Sequence, residues 1–305
     1  MRVLSISFSF FYVIIDSNEE EIRTMTVILL VSALFCNVFL AFTDKYTSGF
    51  LKGADEILQF SFCKTLTCAA LAVFLLPISG AYINTVGVFI AALAGLFHAT
   101  SVVLIMLSLK RTDAVYVNLF MAAGIILPSL FGWILWDQAL TFLKICALLL
   151  LIFFLAMTLS VRCSGRFHFP TVIAMFVSYG MLMVAQGAFP KYCINGSSTM
   201  FSVIMYGCSS LILGVLAAFR CKKKMDFAKK LGVLCLASAV ANLAINLLLT
   251  QLSSMTAAFV TFPVVHGGKL VAVTLLCGVM WREKLKVMQV IFAFLSIVCI
   301  VLLSL

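Results

Sequence analysis

His266 and Lys269 stand three positions apart in the run His266-Gly267-Gly268-Lys269, inside an otherwise apolar stretch. Residues at that spacing share one face of a helix. An ionisable side chain within an apolar span costs at least about 2.5 kcal/mol on insertion scales, so it turns toward a wet cavity or a partner. An ammonium placed there suits a carboxylate or a phosphate. Pro263 and the two glycines let backbone and ligand come close. The competing explanation for Lys269 is structural: bonding to carbonyls, or snorkelling to an interface. His266 is a candidate for lining the same cavity and, with a side chain that titrates near neutrality, for proton relay.

Eight further polar residues sit within apolar runs and are candidate substrate contacts. Lys64 lies close enough to a basic segment to snorkel instead. His98 stands alone among apolar neighbours, where a hydrogen-bonded packing role competes. Asn37 and Asn118 are isolated amides, equally suited to bridging helices. Asn242 and Asn246, at i and i+4, share a face and would line a cavity or a seam. Tyr179 and Gln186 are two turns apart on roughly one face. Acidic residues are expected only at ends and in loops: Asp44, Asp55, Glu56, Asp113, Asp137, Asp226 and Glu283. A cavity lined this way is biased positive and lacks the membrane carboxylate that proton-for-cation exchange requires.

Signatures of other chemistries are missing. No CxxC pair or His-Cys cluster has metal spacing, and eight of the eleven cysteines fall in apolar runs as small hydrophobes. No HExxH, Gly-x-Ser-x-Gly or Gly-x-x-x-x-Gly-Lys occurs, so neither a nucleophile with its base nor a phosphate loop is in view. The expectation is a protein that is not an enzyme, with no catalytic residues, no metal and no cofactor.

The elements that must position these residues follow from composition. The chain is 64% hydrophobic and 10% charged, with a mean hydropathy of +1.20. A soluble domain of this size cannot hide that much apolar surface, so lipid must solvate it. Spans are expected at roughly 25–42, 57–77, 83–107, 113–135, 140–160, 170–190, 197–219, 228–250, 255–280 and 284–304. Gly95, Gly124, Pro128, Gly180, Gly207, Pro263, Gly267 and Gly268 mark close helix contacts or breaks, and Trp133, Trp136 and Trp281 anchor span ends.

Charge alternates with the gaps between spans. Fifteen of twenty-one Lys and Arg fall in five alternate gaps, around Lys45–Lys52, Lys110–Arg111, Arg162–Arg166, Arg220–Lys230 and Arg282–Lys286. The intervening gaps, around Gly80, Asp137, Asn195 and Ser253, hold only Lys191. The positive-inside rule then places the basic gaps in the cytoplasm and both ends of the ten-span unit outside. The net charge of +10 is thereby explained by topology and anionic headgroups, with no nucleic acid as partner.

Residues 1–24 are set apart as a non-core extension, an apolar run too short to span followed by a polar one, with Met25 as a candidate start. Glu19-Glu20 would permit a ribosome-binding sequence just upstream, which points to a bacterial inner membrane. In that setting the sequon Asn195-Gly196-Ser197 carries no meaning.

An internal repeat completes the organisation. Residues 112–160 run Thr-Asp-Ala-Val-Tyr-Val, a glycine-containing span, Trp136-Asp137-Gln138-Ala139-Leu140 and a very apolar span; residues 256–304 run Thr-Ala-Ala-Phe-Val-Thr, a glycine-containing span, Trp281-Arg282-Glu283-Lys284-Leu285 and another. Two units of five crossings, 25–160 and 170–305, must enter the membrane in opposite senses. With its 5+5 pattern, the Trp-x-Glu-x-Leu element at Trp281 and the basic Lys64, the chain over about 25–305 resembles the drug/metabolite transporter superfamily, in particular its ten-helix EamA-like branch.

The resemblance implies an all-α integral membrane fold in which spans one to four and six to nine surround a central cavity while five and ten pack outside. It further implies a secondary transporter for a small polar, anionic or zwitterionic metabolite such as an amino acid, carboxylate or organophosphate. Its partners are the bilayer and that substrate, and it works as a monomer or homodimer. A nucleotide-sugar or phosphate-ester exchanger is the alternative, although the nucleotide-sugar motif Gly-Ala-Leu-Asn-Lys is matched only by Lys269. An intramembrane enzyme is a remote one.

Overall fold

The computed structural model describes residues 19–136, 141–160, 169–221, 229–256 and 258–280, with Ile291, Phe294, Leu295, Val298 and Cys299 beyond them. The described residues are helical and contain no strand. In chain order the helices are α1 (Glu19–Ser48), α2 (Ala54–Ser79), α3 (Thr85–Arg111), α4 (Ala114–Ala123), α5 (Ile126–Trp136), α6 (Phe142–Ser160), α7 (Phe169–Tyr192), α8 (Ser198–Arg220), α9 (Lys229–Met255) and α10 (Ala258–Met280). Among the described residues, seven helical stretches, counting Ala114–Trp136 as one, are long and apolar enough to cross a membrane. Shorter apolar helical stretches lie at Phe142–Phe153 and Thr261–Leu276. The chain is a multi-pass helical membrane protein. Its outer surface agrees: Phe35, Phe74, Phe89, Leu211 and Phe219 are 69% to 89% exposed, which only a hydrocarbon solvent makes favourable.

The two ends of the bundle differ in charge as the gap pattern requires. At one end Lys45 Nζ donates to the Leu109 carbonyl (3.5 Å) and Lys110 Nζ to that of Leu51 (2.5 Å). Lys230 Nζ sits there 5.2 Å and 4.5 Å from the Tyr46 and Phe50 ring centroids. At the other end the Ser197 amide donates to the Tyr82 carbonyl (2.9 Å) and Asn84 Nδ2 to that of Tyr192 (3.0 Å). Among the described residues, the basic gaps at Lys45–Lys52 and Lys110–Arg111 thus meet Lys230 at one end, and the gaps around Gly80 and Asn195 meet at the other.

Packing follows a definite scheme. The most extensive contact is α2 on α8; α3 packs on α7 and α8, and α9 packs on α1 and α2. The stretch α4–α5 packs on α7, and α10 packs on both α1 and α4–α5. Close approach depends on small residues: a Cβ on Gly95 would lie 2.6 Å from the Met205 carbonyl oxygen, and one on Gly180 would lie 2.8 Å from that of Gly124. Gly207 departs from the expectation of a contact, since nothing lies within 4 Å of a Cβ there.

Three further points refine the expectations. The first helix starts at Glu19, so it takes in the last residues of the extension set apart as 1–24. The fourth span is not continuous. Proline cannot donate to the carbonyl four residues back and its ring crowds it, and at Pro128 that carbonyl belongs to Gly124. The Gly124 oxygen accepts from the Leu127 amide instead (3.1 Å), and the Gly124 and Ile125 amides turn back to Met121 and Ala122. These tight turns separate α4 from α5. Finally Asp44, expected at a span end, lies inside α1 and is only 6% exposed. Trp281–Leu285, residues 137–140 and residues 300–305 lie outside the described residues.

Candidate functional site

Among the described residues the helices enclose a cavity that all ten candidate residues line. Asn37 comes from α1, Lys64 from α2, His98 from α3 and Asn118 from α4. Tyr179 and Gln186 come from α7, Asn242 and Asn246 from α9, and His266 and Lys269 from α10. The wall between them is apolar, with Leu40, Val117, Leu182, Met183 and Ile245 among its members. The enclosed space is about 50 Å³, room for a few waters rather than a metabolite.

One group of residues is internally satisfied. Asn242 Nδ2 lies 3.2 Å from His98 Nε2 and Ser209 Oγ lies 3.1 Å from its Nδ1. An amide nitrogen only donates, so Nε2 accepts and Nδ1 carries the hydrogen. Tyr206 Oη donates to the Asn242 carbonyl (2.9 Å) and accepts from Asn246 Nδ2 (2.7 Å). Gln186 Nε2 donates to Asn246 Oδ1. This network fastens α3, α7, α8 and α9 around the cavity. Tyr206 and Ser209 had no distinguishing sequence signal, being ordinary members of an apolar span.

Around Lys269 the pattern is the opposite. Its Nζ, with the residue 3% exposed, meets a weak acceptor, the Met121 thioether, at 3.9 Å. Asn37 Nδ2 lies 3.2 Å from His266 Nδ1, so that nitrogen accepts and Nε2 carries the hydrogen. Nε2 is buried with no hydrogen-bond partner among the described residues. Tyr179 holds the ring edge-on, with centroids 5.6 Å apart. Asn118 Nδ2 donates to the Ala114 carbonyl (2.8 Å), while its Oδ1 is buried and without a partner among the described residues. Buried polar atoms are ordinarily paired. Here a cation, an N–H donor and an amide oxygen are left over in the lining of one cavity.

Lys64 is held differently. Its Nζ donates to Asp44 Oδ1 (2.7 Å) and Oδ2 (2.9 Å), and Ser238 Oγ donates to Asp44 Oδ1 (2.6 Å). Asp44 lines the cavity as well. The lining expected to be biased positive and free of acidic residues therefore holds two lysines and one aspartate.

No protein-family model matches the chain, and no curated protein does. A protein crystal structure superposes on it with a TM-score of 0.66 at 12% identity, over 92% of this chain and 96% of that one. Identity that low shows a shared fold, extending over nearly the full length of both chains, and leaves activity to be argued from the site.

Proposed function

We propose that this protein is a secondary transporter that carries a small anionic or zwitterionic metabolite by alternating access between two inverted five-helix halves. The observation that carries the reading is Lys269: a buried ammonium that, among the described residues, meets only a thioether, in a cavity where His266 Nε2 also has no partner among them. A structural lysine would be neutralised, because an uncompensated buried charge costs several kcal/mol. An oxyanion between Nζ and Nε2 would supply what both lack, and Asn118 Oδ1 would accept from an ammonium or hydroxyl on the same molecule.

Packing supports the two halves. Exchanging α1 with α7, α2 with α8, α3 with α9 and α4–α5 with α10 turns the contact α3·α7 into α9·α1 and α3·α8 into α9·α2. The same exchange turns α4–α5·α7 into α10·α1 and leaves α2·α8 and α4–α5·α10 unchanged. Two equivalent units around a central site can rock against each other. With only about 50 Å³ enclosed, the helices must part to admit substrate, on one side at a time. The likeness to the drug/metabolite transporters fits this reading, and the cytoplasm then meets the basic end.

A thermal-shift screen of purified protein against carboxylates, amino acids and phosphate esters tests it. Stabilisation by an anionic class, lost in Lys269→Ala, is expected. Stabilisation by cations alone would overturn it.

A further inference from the structure

Resting on that reading of the cavity, we infer that Lys269 and His266 form a chloride site in the closed protein, and that the metabolite crosses by exchange for this chloride. Charge is the first observation. Lys64 is already matched, since Asp44 takes two bonds from its Nζ and a third from Ser238. That geometry holds the carboxylate ionised, so the pair sums to zero. Lys269 has no carboxylate within bonding distance among the described residues, where its Nζ meets only the Met121 thioether. The excess is one buried positive charge, and closing the helices over it without a counter-ion is strongly disfavoured.

Space and donors choose the anion. The enclosed volume of about 50 Å³ admits a monatomic anion with a water or two beside it and excludes a metabolite. The three N–H bonds of Lys269 are joined by that of His266 Nε2, which has no partner among the described residues. Their i, i+3 spacing brings both to one face of α10. Asn37 donates to His266 Nδ1 (3.2 Å), so Nε2 presents its hydrogen to the cavity. Val117, Leu182 and Met183 complete an apolar wall, which a large, weakly hydrated halide tolerates.

Exchange follows from the charge count. A monoanionic metabolite that leaves uncovers the Lys269 charge, and the protein closes again only once another monoanion has replaced it. The closed cavity is thus the cavity of the return stroke, sealed around chloride. One monoanion enters for each that leaves, so no net charge crosses and nothing is oxidised or reduced.

Melting temperatures of the purified full-length chain are measured at neutral pH and fixed ionic strength while chloride replaces lactobionate, a disaccharide acid too large to be enclosed. Wild type should show a saturable rise of about 3 °C at about tenfold over half-saturation, and Lys269→Met should show none. An equal rise in both, or none in wild type, overturns the inference. In vesicles reconstituted with wild type alone, labelled chloride should enter at least about tenfold faster when the lumen holds chloride than when it holds lactobionate. Equal rates overturn the inference as well, and this arm serves even where the variant fails to fold. An anionic metabolite that still stabilises wild type but not Lys269→Met would then leave the transporter reading standing. Failure of chloride and of every anionic metabolite to stabilise folded wild type overturns both.

Discussion

Replacing Lys269 by methionine removes a buried charge that has no compensating carboxylate within bonding distance among the described residues. The ligand-free protein should then gain about 1–2 kcal/mol, read as a higher melting temperature, while losing anion binding. A lysine that served the fold would do the reverse. Lys64→Met should act oppositely, because it strands the Asp44 carboxylate at 6% exposure: a loss of about 3–5 kcal/mol is expected, largely restored by adding Asp44→Asn. Melting curves of the three variants decide both points. The ten cavity residues were legible in the sequence because a polar group in a lipid-facing span is costly, and facing inward is the way out. Asp44 was not legible. It sits close to a basic gap, where a charge looks like an ordinary helix end, and one of its partners, Ser238, is 194 residues away.

At the scale of helices, glycine positions separate close contacts from open surface. Gly95→Ala would drive a methyl to 2.6 Å from a backbone oxygen on α8, which cannot yield as a side chain does. A loss of about 1–3 kcal/mol follows. Gly207→Ala, on the same helix pair but facing nothing within 4 Å, should be neutral or slightly stabilising through helix propensity. Parallel thermal melts of the two alanine variants check the contrast. Both glycines look alike in the sequence, because spacing alone does not say which face of a span meets a neighbour. The break between α4 and α5 was only half legible: Gly124 and Pro128 marked the place, but the tight turns that rescue the Gly124 carbonyl follow from local hydrogen bonding.

For the whole molecule, the alternation of basic gaps foretold what the helix ends show, with Lys45, Lys110 and Lys230 gathered at one end. Such charges are legible because they are read by lipid and the insertion machinery, both outside the protein. A fluorescent fusion at Leu305 should report an outside C-terminus, and cytoplasmic fluorescence would reverse the orientation. Cargo is less legible, since it depends on how residues far apart in the chain converge on one small space. The central claim is that an anion crosses through the Lys269 cavity. Its most direct test is flux of the most stabilising anionic metabolite into vesicles reconstituted with wild type or with Lys269→Met. Uptake by wild type with a loss of about a hundredfold in a well-folded variant is predicted, and equal flux through both would contradict the account.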